Sequence, residues 1–327
     1  MAINGIETVL YGVNDVAECT RFFDDFGLPL VESSSEHAHF RLPDGSNVRL
    51  RAINDPAIPR SSLQGTGVHE TIWGVDTEES LERLACELGS DREIRRDADG
   101  TAHLLTDDGM AIGLRIWHAL PIHTAPDPIN SPGHANRINQ HRRWRVRARP
   151  KNIEHVVFQV PDVEKSWAFY RDRLNFRLSD IQRTFGIFCR ADGSNHHHNI
   201  YFINAHLPFQ GLDGNLRFDH VNFAVEDVDE VMAGANYMER KGWPKSVWGL
   251  GRHRIASSLF LYLPAPTGGQ AEYGADSDVL DDSWVPRSWD PMFGFFSFVH
   301  NMQPYMMDAA PWDVSFVEAY TSPPKQR

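Results

Sequence analysis

Apolar and polar residues alternate along four short stretches of the chain, and each stretch is followed by a segment with helical spacing. Residues 6–16 (IETVLYGVNDV) are echoed by residues 153–163 (IEHVVFQVPDV). A second pair consists of residues 69–75 (HETIWGV) and 219–225 (DHVNFAV). Because alternation is typical of a half-buried strand, each stretch predicts a strand that leads into an amphipathic helix. The echo between the two halves indicates that they are related by duplication.

Short strand-like runs lie between these four starts and are separated by turn residues. Residues 39–42 and 48–51, for example, flank the turn sequence Pro43-Asp44-Gly45. Each start therefore predicts one βαβββ module. The expected fold class is α+β, with two domains that each contain two βαβββ modules and form a curled mixed sheet.

Changes in composition divide the chain further. Residues 1–120 are predicted to form the first βαβββ pair, and residues 121–150, rich in Pro, Asn and Arg, to form a linker. Residues 151–282 are predicted to form the second pair, which is the metal-binding and catalytic one. The tail, residues 283–327, is rich in Trp, Phe and Met without a clear period. We expect it to pack over an apolar surface.

Charge and cysteine usage limit the function and the compartment. The chain of 327 residues has 32 Lys and Arg against 44 Asp and Glu, a formal charge of −12, which argues against nucleic acid or anionic membrane as a partner. The basic run 141–149 (HRRWRVRAR) is the exception, and we interpret it as a solvated or subunit-facing connector. Cys19, Cys86 and Cys189 show no close pairing, and no apolar run is long enough to span a bilayer. A cytoplasmic location is expected.

The duplication supplies an internal comparison that points to a metal. His155 stands where the first half has Thr8, and His220 stands where it has Glu70. Two histidines at strand starts could meet in the cleft of a curled sheet, with Glu272 as a candidate third ligand from a later strand. Two imidazoles and one carboxylate leave coordination positions open and suit a non-haem Fe(II). Only the second half is therefore predicted to hold a metal.

The sequence around Glu272 carries a more specific pattern. Gly251-Arg252-His253 is followed after seven residues by Leu261-Tyr262, after two more by Ala265-Pro266-Thr267-Gly268, and after three more by Glu272. This pattern resembles the signature of the type I extradiol dioxygenases of the vicinal oxygen chelate superfamily. The resemblance covers residues 153–275 well, and residues 4–117 only in architecture.

The resemblance implies roles for six side chains and a set of partners. His155, His220 and Glu272 would ligate Fe(II), with Mn(II) as the possible substitute. His198, His253 and Tyr262 would be catalytic, with His198 as the general acid that assists O–O cleavage. The substrates would be a catechol-type small molecule and O2, and the protein would be a homo-oligomer. One departure concerns Ala256, where several relatives carry an acidic residue.

His198 is chosen from three adjacent histidines because the apolar run that follows it matches the family. The segment 195–202 (NHHHNIYF) is predicted to be a strand. In strand alternation His196 shares the face of His198, whereas His197 points away and would be structural.

Two other classes of function stay open. One is a related metalloenzyme, such as a glyoxalase-like isomerase or a 4-hydroxyphenylpyruvate dioxygenase-like enzyme, and the other is a non-catalytic small-molecule binding protein. Oxygen uptake with a catechol would separate them from an extradiol dioxygenase. The aromatic tail and Trp248 hint at a bulky or bicyclic substrate, although subunit packing would explain them equally well.

Overall fold

The computed structural model describes residues 3–209, 211–306 and 312–318, and its element order repeats one pattern four times. The first half contains β1 (Ile3–Val13), α1 (Val16–Phe26), β2 (Leu30–Ser33), β3 (His37–Arg41), β4 (Asn47–Ala52), β5 (Gly67–Val75), α2 (Glu78–Leu88), β6 (Arg95–Arg96), β7 (Ala102–Leu105) and β8 (Ala111–Ile116). The second half contains β9 (Asn152–Val160), α3 (Val163–Leu174), β10 (Arg177–Gln182), β11 (Gly186–Arg190), β12 (Ile200–Asn204), β13 (Arg217–Ala224), α4 (Val228–Arg240), β14 (Gly251–Arg252), β15 (Leu259–Pro264) and β16 (Gln270–Ala275). The predicted α+β fold of four βαβββ modules is confirmed.

The strands form two mixed sheets, one from each half. The first has the order β2-β3-β4-β1-β5-β8-β7-β6, and β1 and β5 join its two modules in antiparallel fashion. The second contains β14-β15-β16-β13-β9-β12-β11-β10, and β9 and β13 join its modules in the same way. In each module the last strand lies parallel to the first, since the helix carries the chain back across the sheet.

Each module helix is capped by a polar residue that lies two or three positions after the end of the first strand. Asp15, Thr77, Asp162 and Asp227 each accept a hydrogen bond from a backbone N–H in the first helical turn. A side-chain cap of this kind satisfies a donor that the helix leaves unpaired, and contributes about 1 kcal/mol. Among the described residues, no helix combines the length and the apolar composition needed to cross a membrane.

Strand alternation separates the helix-covered core from an open concave face. In β9, Val156, Phe158 and Val160 are buried in the main core, whereas His155 and Val157 line a cavity on the opposite face. Because side chains of one strand point alternately to the two faces, the same strand supplies both the core and the site.

The two halves pack together through an aromatic contact. Phe26, at the end of α1, stacks on Tyr273 of β16 with ring centroids 3.9 Å apart. The Tyr273 hydroxyl donates to the carbonyl oxygen of Phe26 over 2.6 Å. This contact joins the first helix of one half to the strand that carries Glu272 in the other.

The basic run of the connector forms ion pairs with carboxylates of the same chain. Arg145 makes ion pairs of 2.8 Å with Glu226 and Asp227, and Arg143 reaches Glu226 over 2.8 Å. These carboxylates lie at the start of α4. The interpretation of the run as a solvated or subunit-facing connector is therefore incomplete, because Arg142, Arg143 and Arg145 all pair with this acidic cluster.

The described part of the tail extends the second sheet at both edges. It contains β17 (Arg287–Trp289), α5 (Pro291–Phe295), β18 (Phe298–Val299), a short 3₁₀ helix (Pro304–Met306) and β19 (Val314–Phe316). Strand β17 lies parallel to β10, and β18 pairs with β14 at the other edge. The prediction that the tail packs over an apolar surface concerns residues 283–327. Of these, residues 307–311 and 319–327 lie outside the described part.

Candidate metal centre and active-site cavity

Three neighbouring strands bring the candidate ligands together. In the pairing of β9 with β13, His155 lies opposite Asn222, and in the pairing of β13 with β16, Asn222 lies opposite Glu272. His220 is two residues before Asn222 on the same strand. Residues that are opposite or two apart share one face of a sheet, so all three side chains point into the concave face.

The same register in the first half presents different chemistry. Thr8 lies opposite Ile72, and Ile72 lies opposite Gly113. The positions that correspond to His155, His220 and Glu272 are therefore Thr8, Glu70 and Gly113. Gly113 has no side chain to offer a ligand atom, which agrees with the prediction that only the second half holds a metal.

The geometry of the three side chains fits a divalent metal ion. His155 Nε2 and His220 Nε2 each lie 3.3 Å from Glu272 Oε2. Glu272 is 1% exposed, and its Oε2 has no hydrogen-bond partner among the described residues. A buried, unpaired carboxylate oxygen is costly unless a cation compensates it. Ligand bonds of roughly 2.1 Å at right angles place donor atoms about 3 Å apart, close to this spacing.

A carboxylate behind His220 sets the orientation of its ring. His220 Nδ1 donates to Asp219 Oδ1 over 2.6 Å, and Gln159 donates to the other oxygen of Asp219 over 2.8 Å. With hydrogen on Nδ1, Nε2 of the neutral imidazole keeps its lone pair toward Glu272, as a metal ligand requires. Burial opposes a charge on His220, but Asp219 and Glu272 together raise its pKa. For His155, burial outweighs its acidic neighbours and lowers the pKa.

His253 and Tyr262 form a hydrogen-bonded pair beside this group. His253 Nδ1 lies 2.7 Å from the carbonyl oxygen of Phe295, and its Nε2 lies 3.2 Å from the Tyr262 hydroxyl. A carbonyl only accepts, so Nδ1 carries the hydrogen and Nε2 accepts from Tyr262. Burial lowers the pKa of His253 to about 4 and raises the pKa of Tyr262 well above its usual value. Both groups are therefore neutral near pH 7.

His198 stacks directly on a candidate ligand. Its ring centroid lies 4.0 Å from that of His155, and Phe188 contacts it edge-on with centroids 4.9 Å apart. Burial lowers the pKa of His198 well below its usual value, and the neighbouring histidines act in the same direction. His198 is therefore neutral unless a nearby negative charge stabilises its protonated form.

The predicted strand 195–202 is wrong in its first half. Strand β12 begins only at Ile200, and the chain before it forms a loop. Alternation does not apply there, so the expectation that His197 points away from His198 is also wrong. The two rings are neighbours, with the Nδ1 atoms 3.1 Å apart. His196 is the outlying member, with a side chain 37% exposed beside Glu154.

The six predicted site residues all line one cavity of about 430 Å³. Its other walls are mainly apolar or aromatic and include Val157, Phe185, Phe188, Tyr201, Ile203, Leu207, Leu212, Trp248, Ile255, Ala256, Met292 and Phe295. No Lys or Arg is among its described lining residues, and the only carboxylates there are Asp219 and Glu272. Such a cavity favours a neutral aromatic ligand.

Two parts of the cavity wall could not be read from sequence patterns. Ala256 is buried in the left-handed region with φ 65°, and its carbonyl accepts from the backbone N–H of Asp278 over 2.8 Å. Its methyl group makes this part of the wall apolar. Met292 and Phe295 enter the cavity from α5, and the only prior signal was the aromatic richness of the tail.

Comparisons with known proteins agree with this geometry. Residues 152–257 match the family described as Glyoxalase/Bleomycin resistance protein/Dioxygenase superfamily. Metapyrocatechase 2 of Cupriavidus necator is 27% identical over 289 residues, which cover 85% of this chain and 83% of that protein. These matches support the predicted resemblance to the type I extradiol dioxygenases of the vicinal oxygen chelate superfamily.

Two further comparisons differ in the metal that the protein names give. An iron-dependent extradiol dioxygenase of Rhodococcus jostii is 32% identical over 150 residues, which cover 42% of this chain and 47% of that protein. The crystal structure of a Mn(II)-bound glyoxalase from Novosphingobium aromaticivorans superposes with a TM-score of 0.70 at 21% identity, covering 95% of this chain and 96% of that one. The structural likeness shows the fold. The His155, His220 and Glu272 group suits either Fe(II) or Mn(II).

Proposed function

We propose that this chain cleaves a catechol-type ring beside the diol and inserts both atoms of O2, with His155, His220 and Glu272 holding Fe(II). The observation that carries the proposal is the buried Glu272 oxygen, which faces two imidazole nitrogens on the wall of an apolar cavity. When bound, the metal supplies open positions for both substrates and a route for electron density from ring to oxygen.

The side chains around these ligands have two different roles, one in orienting the substrate and the other in transferring protons. The Tyr262 hydroxyl donates to His253 Nε2, so its oxygen lone pairs are free to accept a hydrogen bond from a substrate hydroxyl. Near His155, His198 can take the proton of a catechol hydroxyl and later return it to oxygen as the ring opens. Tyr262 and His253 would thus orient the diol, while His198 would move the proton.

The test of this activity is oxygen uptake with catechols by protein that has first been reconstituted anaerobically with ferrous ion. An extradiol dioxygenase consumes one O2 per ring and forms a yellow product. A glyoxalase-like isomerase would turn over its substrate without oxygen uptake, and a binding protein would retain the catechol unchanged. Either of these results would overturn the proposed function.

The cavity also supports a substrate class, namely catechols with a neutral apolar substituent. The catechol ester methyl 3,4-dihydroxyphenylacetate and its free acid differ mainly in charge. We expect kcat/KM for the ester to exceed that for the acid by about tenfold or more, because the described residues that line the cavity include no Lys or Arg to pair with a buried carboxylate. Oxygen-electrode kinetics measure the ratio. An acid that reacts as fast as its ester would contradict this expectation.

We expect the active metal to be iron. The ligand types do not distinguish Fe(II) from Mn(II), but the relative from Rhodococcus jostii is named iron-dependent. Brief treatment with hydrogen peroxide should abolish activity by oxidising the metal, and ferrous ion with a reductant should restore it. Metal analysis beside activity is the measurement. A fully active preparation that contains manganese and no iron would show the expectation to be wrong.

We also propose that the protein is a cytosolic homo-oligomer. Ile138 and Trp144 of the connector are 74% and 90% exposed, and contact between copies of the chain would remove this apolar surface from water. The three free cysteines suit a reducing compartment. Light scattering on the purified protein would test the oligomer, and a monomer at micromolar concentration would refute it.

A further inference from the structure

A row of hydrogen bonds runs from His198 to the tail, away from the metal ligands. His197 Nδ1 lies 3.1 Å from His198 Nδ1, and His197 Nε2 lies 3.3 Å from Asp180 Oδ2. His197 and Asp180 are each 1% exposed. The same Asp180 oxygen accepts from Trp289 Nε1 over 3.0 Å, and the other accepts from the Arg287 backbone N–H over 2.6 Å.

The direction of each bond follows from what its end can do. The Asp180 carboxylate only accepts, so the hydrogen between it and His197 sits on His197 Nε2. In the neutral form of His197, Nδ1 has a lone pair and accepts the hydrogen bond from His198. His198 Nδ1 therefore carries a hydrogen, and its Nε2 keeps a lone pair.

We propose that Asp180 and His197 are positioning residues that set the tautomer of His198, and that strand β17 of the tail holds them in place. They leave His198 Nε2 as the atom that receives a proton on the cavity side. When a catechol O–H bond breaks and an Nε2–H bond forms, the positive charge on His198 is stabilised through His197 by Asp180. This inference rests on the proposed acid–base role of His198.

The arrangement also accounts for why the tail is built into the sheet. Trp289 and Arg287 both belong to β17, which pairs with the strand that contains Asp180. A buried carboxylate is costly without hydrogen-bond donors. Among the described residues, three donors contact the Asp180 carboxylate, and β17 supplies two of them. Without β17, Asp180 would lack the donors that hold its oxygen toward His197.

Nitrogen-15 NMR of histidine side chains tests the tautomers directly, in protein loaded with diamagnetic Zn(II). In the unmodified protein we expect hydrogen on Nε2 of His197 and on Nδ1 of His198. In the double variant Asp180→Asn with Trp289→Phe, no indole N–H competes for the amide oxygen, so the Arg287 N–H should hold that oxygen and turn the NH2 group toward His197. Both histidines should then exchange tautomers, with hydrogen on Nδ1 of His197 and on Nε2 of His198.

Kinetics separate positioning from a structural role. Asp180→Asn should lower kcat by about 10–100-fold, as loss of an outer hydrogen-bond partner typically does, with KM for catechol and the metal content unchanged. His196→Gln is the matched control, because His196 contacts Glu154 and Asn152 and makes no recorded contact with His198 among the described residues. Its kcat should stay at the unmodified level.

Three results would overturn the inference. The first is hydrogen on Nε2 of His198 in the unmodified protein, which needs no variant to fold. The second is an unchanged tautomer pair in the folded double variant Asp180→Asn with Trp289→Phe, and the third is an equal loss of kcat in His196→Gln. Because the NMR measurement requires no turnover, it decides the tautomer inference even if the protein proves not to cleave catechols.

Discussion

A Glu272→Ala protein should fold and lose its bound iron or manganese. Glu272 Oε2 lies 3.3 Å from the Nε2 atoms of both His155 and His220, so its removal leaves two imidazoles and no anionic ligand. Binding should weaken by more than the roughly 10–100-fold that loss of an outer-shell partner costs. Elemental analysis after desalting measures the metal, and circular dichroism measures the fold.

Glu70→Ala is the matched control for this loss. Glu70 is a buried glutamate of the first half, at the position that corresponds to His220, and it pairs with His103 over 2.6 Å. Its replacement should leave the metal content unchanged. If the Glu272 variant kept its full metal content, or the Glu70 variant lost it, the ligand assignment would be wrong.

A His198→Phe protein should keep its metal and bind catechol without oxygen, yet turn over about 10²–10⁴-fold more slowly, the typical contribution of a positioned acid or base. Phenylalanine preserves an aromatic ring between His155 and Phe188 but removes the proton carrier. Steady-state oxygen uptake measures kcat, and anaerobic titration measures binding. Release of hydrogen peroxide in place of ring-opened product would agree with the loss of that proton.

His196→Phe serves as the control for this second substitution. His196 belongs to the same histidine run, but its side chain is 37% exposed and lies beside Glu154. It should retain kcat. Normal turnover by the His198 variant would refute the proton-transfer role, and a larger loss at His196 would mean that the wrong histidine of the run was chosen.

Duplication made much of this architecture readable from one sequence. Alternation at residues 6–16 and 153–163 predicts paired strands without any knowledge of their partners, because the period of two is a property of the extended backbone. Comparison of the two copies then singled out His155 and His220, because duplication alone does not explain why histidines stand where the first copy has Thr8 and Glu70. The motif from Gly251 to Glu272 added the family, which the comparisons confirm.

The segment around the histidine run marks where local pattern fails. Residues 195–199 include three histidines, which an alternating pattern can place on either face of a strand, and these residues directly precede β12. The predicted strand therefore begins too early. The chain there forms a loop whose conformation depends on contacts with distant residues, such as the bridge between His196 and Val279. Contacts that are remote in sequence leave no local period, and the neighbouring positions of His197 and His198 could not be predicted.

The sequence by itself determined the four modules, the half that could hold a metal and the candidates His155 and His220, because each follows from local periodicity or from comparison of two copies. Glu272 was added by the motif that carries the family resemblance. Only the tertiary structure decided which groups stand behind these side chains. Phe295 meets His253 across 42 residues, and Trp289 meets Asp180 across 109 residues. These partners come from the tail, whose aromatic composition has no period. Their positions follow from pairing at the edges of the second sheet, which depends on the whole chain.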